Sequence, residues 1–164
     1  MRVLVTDGNT RASLAITRSL GRYGARVIVW SESHPCLASS SKYCAEAVFY
    51  PDPKKNSREF AEAICRLVKE TGANVLLPVT DVTTLLVTEK KEELEKYCAV
   101  PFPEYKSVFR AADKSGLMRL AEGLGIAIPK TFYLERSDDL EAAYAWCRTV
   151  DYPIVIKPSR SRFR

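Results

Sequence analysis

Arg2-Val3-Leu4-Val5-Thr6-Asp7-Gly8-Asn9-Thr10 opens the chain as a short apolar, β-branched run stopped by an Asp-Gly-Asn turn. The residues after this turn carry a helical pattern, with Ala12, Ala15, Ile16, Leu20 and Tyr23 on one face and Gly21 and Gly24 marking its end. The next run, Arg26-Val27-Ile28-Val29-Trp30, is continuously apolar, as strands buried on both faces of a parallel sheet are. Strand, turn, helix and strand make a βαβ unit, which sets the fold class as α/β with a Rossmann-like parallel sheet.

The pattern continues outward. After a Ser-rich loop, Ala47-Val48-Phe49-Tyr50 reads as a third strand ended by Pro51 and Pro53. Ser57 is expected to cap a helix with Phe60, Ala61, Ile64, Leu67 and Val68 inward and Thr71-Gly72 at its end. Asn74 to Val79 is a fourth strand, a helix from Val82 grows charged toward Lys96, and Cys98 to Pro101 is a brief fifth strand at an edge. The composition then changes register. Asp113 is placed to cap a helix with a Leu117, Leu120, Ala121 and Leu124 stripe, Thr131–Leu134 reads as a strand, and Ser137 caps a further helix. Asp138, Asp139 and Glu141 sit in that helix's first turn, Leu140, Ala143, Tyr144 and Cys147 form its inner side, and Pro153–Lys157 is a last strand. A domain boundary is expected between residues 104 and 113, giving domains 1–112 and 113–164.

Composition removes several classes of function. With 164 residues and 46% apolar side chains the chain can bury a core. No apolar run approaches a membrane span and none reads as a signal peptide, so a cytoplasmic chain without a membrane partner is expected. The five cysteines are odd in number, widely spaced and without a C-x-x-C pair, which indicates buried thiols rather than disulfides or zinc. Of the net charge of +5, Lys157, Arg160, Arg162 and Arg164 supply four within the last eight residues. A nucleic-acid partner needs charge spread along a face, so that reading is set aside. His34, the only histidine, has no carboxylate or cysteine cluster at ligand spacing, so neither a metal site nor a Ser-His-Asp triad is expected.

Three places carry candidate chemistry. Asp7, Gly8, Asn9, Thr10 and Arg11 lie at a strand's carboxyl end and a helix amino terminus, where doubly wound sheets bind ligands. Either they contact substrate, or Gly8 and Asn9 make a tight turn and Thr10 a helix cap. G-x-G-x-x-G is absent, yet Glu32 stands after the second strand where a ribose-binding acid would, so a stand-alone NAD-binding regulatory module stays open. Asp81 either meets substrate or caps the helix after it. Lys157 ends an apolar strand, where an unpaired ammonium is costly, so it reaches a polyanion or snorkels to water.

Taken together, Asp113-Lys114, Gly125-Ile126-Ala127-Ile128-Pro129-Lys130-Thr131 and Tyr152-Pro153-Ile154-Val155-Ile156-Lys157-Pro158 resemble the opening of an ATP-grasp domain. The first hundred residues resemble the pre-ATP-grasp domain that accompanies it, in a family that includes the carbamoyl-phosphate synthase large subunit, biotin carboxylase and D-alanine ligase. The resemblance implies ATP and magnesium as cofactors, a small carboxylate activated as an acyl phosphate, and a nucleophile such as an amine that attacks it. It implies that Lys157 and Lys114 contact ATP and its phosphates. In many members the strand lysine leads into a Gly-rich loop. Here Pro158 to Arg164 has no glycine, and Arg160 is expected to bind phosphate instead. The resemblance further implies a truncated α+β small lobe lacking the magnesium ligands, hence a fragment inactive alone. A homodimer or a complementing carboxy-terminal polypeptide is expected, because a sheet ending at Lys157 leaves an open edge.

Overall fold

Consecutive parallel strands need a crossover of a dozen residues or more, and each pair of successive strands in the sheet is separated by at least that much chain. In the computed structural model, which describes residues 1–135 and 139–160, the chain forms β1 (Arg2–Val5), α1 (Arg11–Arg22), β2 (Arg26–Ser31), β3 (Cys44–Phe49), α2 (Ser57–Thr71) and β4 (Val75–Leu77). A 3₁₀ turn, Ala38–Ser40, lies between β2 and β3. The sheet has four strands in the order β3-β2-β1-β4, all pairs parallel. The order reverses between β1 and β4, so their carboxyl ends flank the switch point at which open α/β sheets bind ligands.

The division of each strand between two faces explains its unbroken apolar sequence. Leu4, Ile28, Trp30 and Leu76 pack with Phe60, Ile64 and Val68 of α2. Val3, Val5, Val27 and Val29 point to the other face, toward Leu14, Ile16 and Leu20 of α1. Burying one such side chain stabilises by about 1.5–3 kcal/mol, so the core here rests on these two layers. Helix α1 departs from its expected face, because Ala12 and Ala15 are exposed and Tyr23 is 89% exposed. Ser13 and Thr17 are buried in their place. The Ser13 hydroxyl donates to the Thr6 and Asp7 carbonyls at 2.7 and 2.8 Å, which offsets the cost of burying it where an apolar reading would not place it.

Beyond β4, α3 (Asp81–Glu89) breaks at Lys90 and continues as α4 (Lys91–Leu94). The expected fifth strand is a single parallel bridge, Val75↔Ala99, because only the Leu76 and Ala99 amides find carbonyl partners across it. The cap of α2 is Asn56 rather than Ser57; its side chain accepts from the Glu59 amide, and Ser57 is the first helical residue. A helix not expected from the sequence, α5 (Tyr105–Ala111), comes next.

The chain divides into two compact units, Met1–Phe109 and Arg110–Arg164. In the second, α6 (Lys114–Gly123) and α7 (Leu140–Cys147) are the described helices, neither with a buried residue. The stripe on α6 is uncovered, with Leu117, Leu120 and Leu124 exposed, as are Leu140 and Tyr144 of α7. Thr131–Leu134 and Pro153–Lys157 are not strands. Their composition favours β structure, yet neither pairs with a neighbouring strand among the described residues, and a strand is stable only within a sheet. Local contacts hold the first of them instead: Phe132 packs on Trp146 at 5.8 Å, and Arg119 lies over the Tyr133 ring at 4.1 Å and pairs with Glu135. The Ser137 cap and the Asp138 charge lie outside the described residues, and the cap position before α7 is taken by Asp139, whose side chain does not cap the helix.

Candidate functional site

At the switch point the first turn is occupied by its own structure. Asp7, only 8% exposed and at φ 58°, gathers donors from three segments. Its Oδ2 accepts from Thr6 Oγ1 at 2.5 Å, Thr83 Oγ1 at 2.6 Å, and the Thr80 and Val79 amides at 3.0 and 3.2 Å. Its Oδ1 accepts from Thr80 Oγ1 at 3.2 Å and Tyr50 Oη at 3.5 Å, while the Asp7 amide donates to that phenol oxygen at 3.0 Å. Burial, and then the charge of Asp7, hold the Tyr50 phenol well above the usual phenol range. A carboxylate with this many donors has no acceptor capacity left for a ligand. Asp7 therefore welds the β1–α1 turn to the β4–α3 turn.

Gly8 serves packing in the same way. A Cβ built there would lie 2.6 Å from Cys36 Sγ, 2.8 Å from Val29 Cγ1 and 3.0 Å from Ser31 Cβ. The space that a dinucleotide pyrophosphate would need beside this glycine is filled by the loop after β2. The Asn9 side chain secures that loop, donating to Ser33 Oγ and accepting from the Leu37 amide. Gly8→Ala is expected to cost about 1–3 kcal/mol by overpacking, read as a lower urea midpoint. Thr10 is the α1 cap, accepting from the Ser13 amide at 3.1 Å.

Asp81 does not cap α3. Thr80 does, in a reciprocal arrangement with Thr83, and Asp81 is the exposed first helical residue. Of the residues named at this edge, Arg11 and Asp81 are exposed and make no side-chain bond to another described residue. The contributions of Tyr50, Thr80 and Thr83 were not legible from sequence; a tyrosine directly before Pro51 and a T-x-x-T spacing were the available signals.

The second unit has its own polar centre at the start of α6. Asp113 caps the helix, Oδ1 accepting from the Gly116 amide at 3.1 Å and from Ser159 Oγ at 2.6 Å. Its Oδ2 pairs with Arg160 at 3.3 Å, and the Lys114 amide donates to the Ser159 carbonyl at 2.9 Å. These bonds, Ser159 first, hold the Asp113 carboxyl below the usual carboxylate range. Lys157 is exposed, so the cost of burying an ammonium, which singled it out in the sequence, does not act on it here. What the structure provides is proximity along the backbone: Lys114 is the first residue of α6, and the segment carrying Lys157 and Arg160 is bonded to that same turn. Among the described residues no group of His, Cys, Asp or Glu is arranged to hold a metal ion, and no helix is long and apolar enough to cross a membrane.

Known structures share this arrangement of elements. The glycinamide-RNase-transformylase T from Mycobacterium tuberculosis superposes with a TM-score of 0.62 at 23% identity, over 87% of this chain and 38% of that one. An L-amino acid ligase from Bacillus licheniformis superposes with a TM-score of 0.64 at 10% identity, over 90% and 42%. The chain shares its fold with these two proteins over the part of each that it covers. The likeness extends to the biotin carboxylase domain dimer of the Hydrogenobacter thermophilus 2-oxoglutarate carboxylase, with a TM-score of 0.57 at 20% identity over 93% and 33%. The chain thus spans 33–42% of these three proteins. No family model and no curated protein matches the sequence.

Proposed function

We propose that this chain is the amino-terminal portion of an ATP-dependent carboxylate–amine ligase that activates a carboxylate as an acyl phosphate. The observation that carries the reading is the cluster at the start of α6, where one carboxylate draws Ser159 and Arg160 to the turn that begins with Lys114. Phosphoryl transfer depends mostly on positioning and charge neutralisation, and lysines 114 and 157 on two bonded segments supply cationic groups for a triphosphate. The fold supports the same class, and the Hydrogenobacter structure contains MgADP and bicarbonate. In this reading ATP is the nucleotide, magnesium accompanies it, and 1–112 and 113–164 are the pre-ATP-grasp domain and the beginning of the ATP-grasp domain. Arg11 and Asp81 are the groups open to substrate, the guanidinium suited to a carboxylate and the carboxylate to an amine. Asp7, Gly8, Asn9 and Thr10 shape the floor beneath them.

The NAD-binding alternative has the less favourable geometry, since Gly8 faces Cys36 and not an open turn. Thermal unfolding separates the two. At a ligand concentration about ten times Kd, ATP is expected to raise Tm by about 3–6 °C, NAD to leave it unchanged, and Lys157→Ala to abolish the ATP effect. A stabilisation by NAD that survives Lys157→Ala would reverse the assignment. The chain by itself is proposed to be catalytically silent, with millimolar ATP affinity or weaker, about 4 kcal/mol or less of standard binding free energy.

A protein partner is proposed on grounds other than a sheet edge at Lys157. Leu124, Ile126, Val155 and Ile156 are 67%, 58%, 72% and 94% exposed, a set of apolar side chains that a second copy or a complementing polypeptide would cover. Sedimentation velocity is expected to show mass above the monomer as concentration rises; a strictly monomeric profile throughout would count against self-association.

A further inference from the structure

The Asp113 carboxylate has more partners than a helix cap requires. One amide, that of Gly116, satisfies the cap. The same group also accepts from the Ser159 hydroxyl and pairs with the Arg160 guanidinium, and the next backbone amide, of Lys114, reaches the Ser159 carbonyl. The segment tied down in this way is exposed at Lys157, Pro158 and Ser159 and belongs to no strand, so no sheet ladder fixes its place.

We propose that Asp113 is a positioning residue, tethering residues 157–160 to the first turn of α6 and thereby holding the backbone of Lys157 next to that of Lys114. The purpose of the tether rests on the nucleotide reading above; its existence does not. Arg160 then has a different role from direct phosphate binding: its contact with Asp113 anchors the segment, and the lysines carry the phosphate charge. The depressed Asp113 carboxyl sets the pH behaviour. A carboxyl lowered on folding contributes above its ordinary value of 3.8 and loses that contribution only as pH falls through the lower folded value. The tether is therefore constant between about pH 5 and 8 and loosens only in acid.

The test uses the full chain and two variants. In Asp113→Ser the hydroxyl still caps α6 through the Gly116 amide, while the bonds to Ser159 and Arg160 are lost. Ser159→Ala leaves Asp113 and the cap untouched. Hydrogen exchange at the Lys114 amide is expected to quicken by about tenfold in both, with the amides of Leu120 to Gly123 unchanged. Unchanged Lys114 exchange in both variants would overturn the tether. In parallel, ATP titration followed at the Lys157 amide is expected to show affinity weakened by about threefold or more in Asp113→Ser. An identical titration in variant and wild type would overturn the positioning role. If the wild-type chain shows no ATP response, the nucleotide reading fails, and the exchange result alone decides the tether.

Discussion

Asp7→Ala is expected to destabilise the chain by about 3–5 kcal/mol, the cost of stranding buried donors that lose a shared charged acceptor. The Val79 and Thr80 amides and the Thr83 hydroxyl all point at one oxygen, Oδ2, of the buried Asp7 carboxylate. A neutral hydrogen bond contributes about 1 kcal/mol, so the loss of several bonds to a charge should exceed any single-bond deletion at this edge. Thr83→Ala, which leaves the carboxylate and the backbone donors in place, is expected to cost about 1 kcal/mol. Urea denaturation followed through Trp30, fully buried in the first unit, measures both. Equal, small losses of about 0.5 kcal/mol would mean that Asp7 does not weld the two turns.

Phe60→Ala is expected to cost about 3–5 kcal/mol, from lost burial plus the cavity left in the core between α2 and the sheet. Phe60 is 0% exposed and meets Tyr50 edge-to-face, ring centroids 5.0 Å apart and planes at 82°. Tyr50 in turn bonds Asp7, so the core substitution should propagate to the switch point. A double-mutant cycle between Phe60→Ala and Tyr50→Phe checks this: the losses should be non-additive by about 0.5–1.5 kcal/mol, whereas simple addition would mean that core and turn are energetically separate.

The first unit was legible because its signals are local. Unbroken apolar runs marked the strands, and the helix periods of α2 predicted the burial of Phe60, Ile64 and Val68. Its errors came from polar groups whose partners lie far along the chain. Ser13 and Thr17 replaced alanines on the inner side of α1, with Ser13 bonded to carbonyls that an apolar pattern does not reveal. Gly8 is legible as a turn residue, but only the folded chain brings Cys36 against it. In the second unit the Asp113 cap is readable from sequence, whereas the β-favouring composition of Thr131–Leu134 and Pro153–Lys157 does not produce strands. Strand formation is a property of a pair, and neither segment has a partner strand among the described residues. The cost of burying an ammonium, which marks Lys157 in the sequence, does not apply to it in the structure, where it is exposed and lies two residues before the Ser159 carbonyl that bonds the Lys114 amide.

Amide-resolved NMR titration of the wild-type chain with ATP tests most directly whether this turn grips a triphosphate. Shifts concentrated at Lys114 to Gly116 and at Lys157 to Arg160, with Gly8 to Thr10 and Glu32 unmoved, are the expected result. Shifts confined to Gly8, Asn9, Thr10 and Glu32 would contradict it and move nucleotide recognition to the switch point of the parallel sheet.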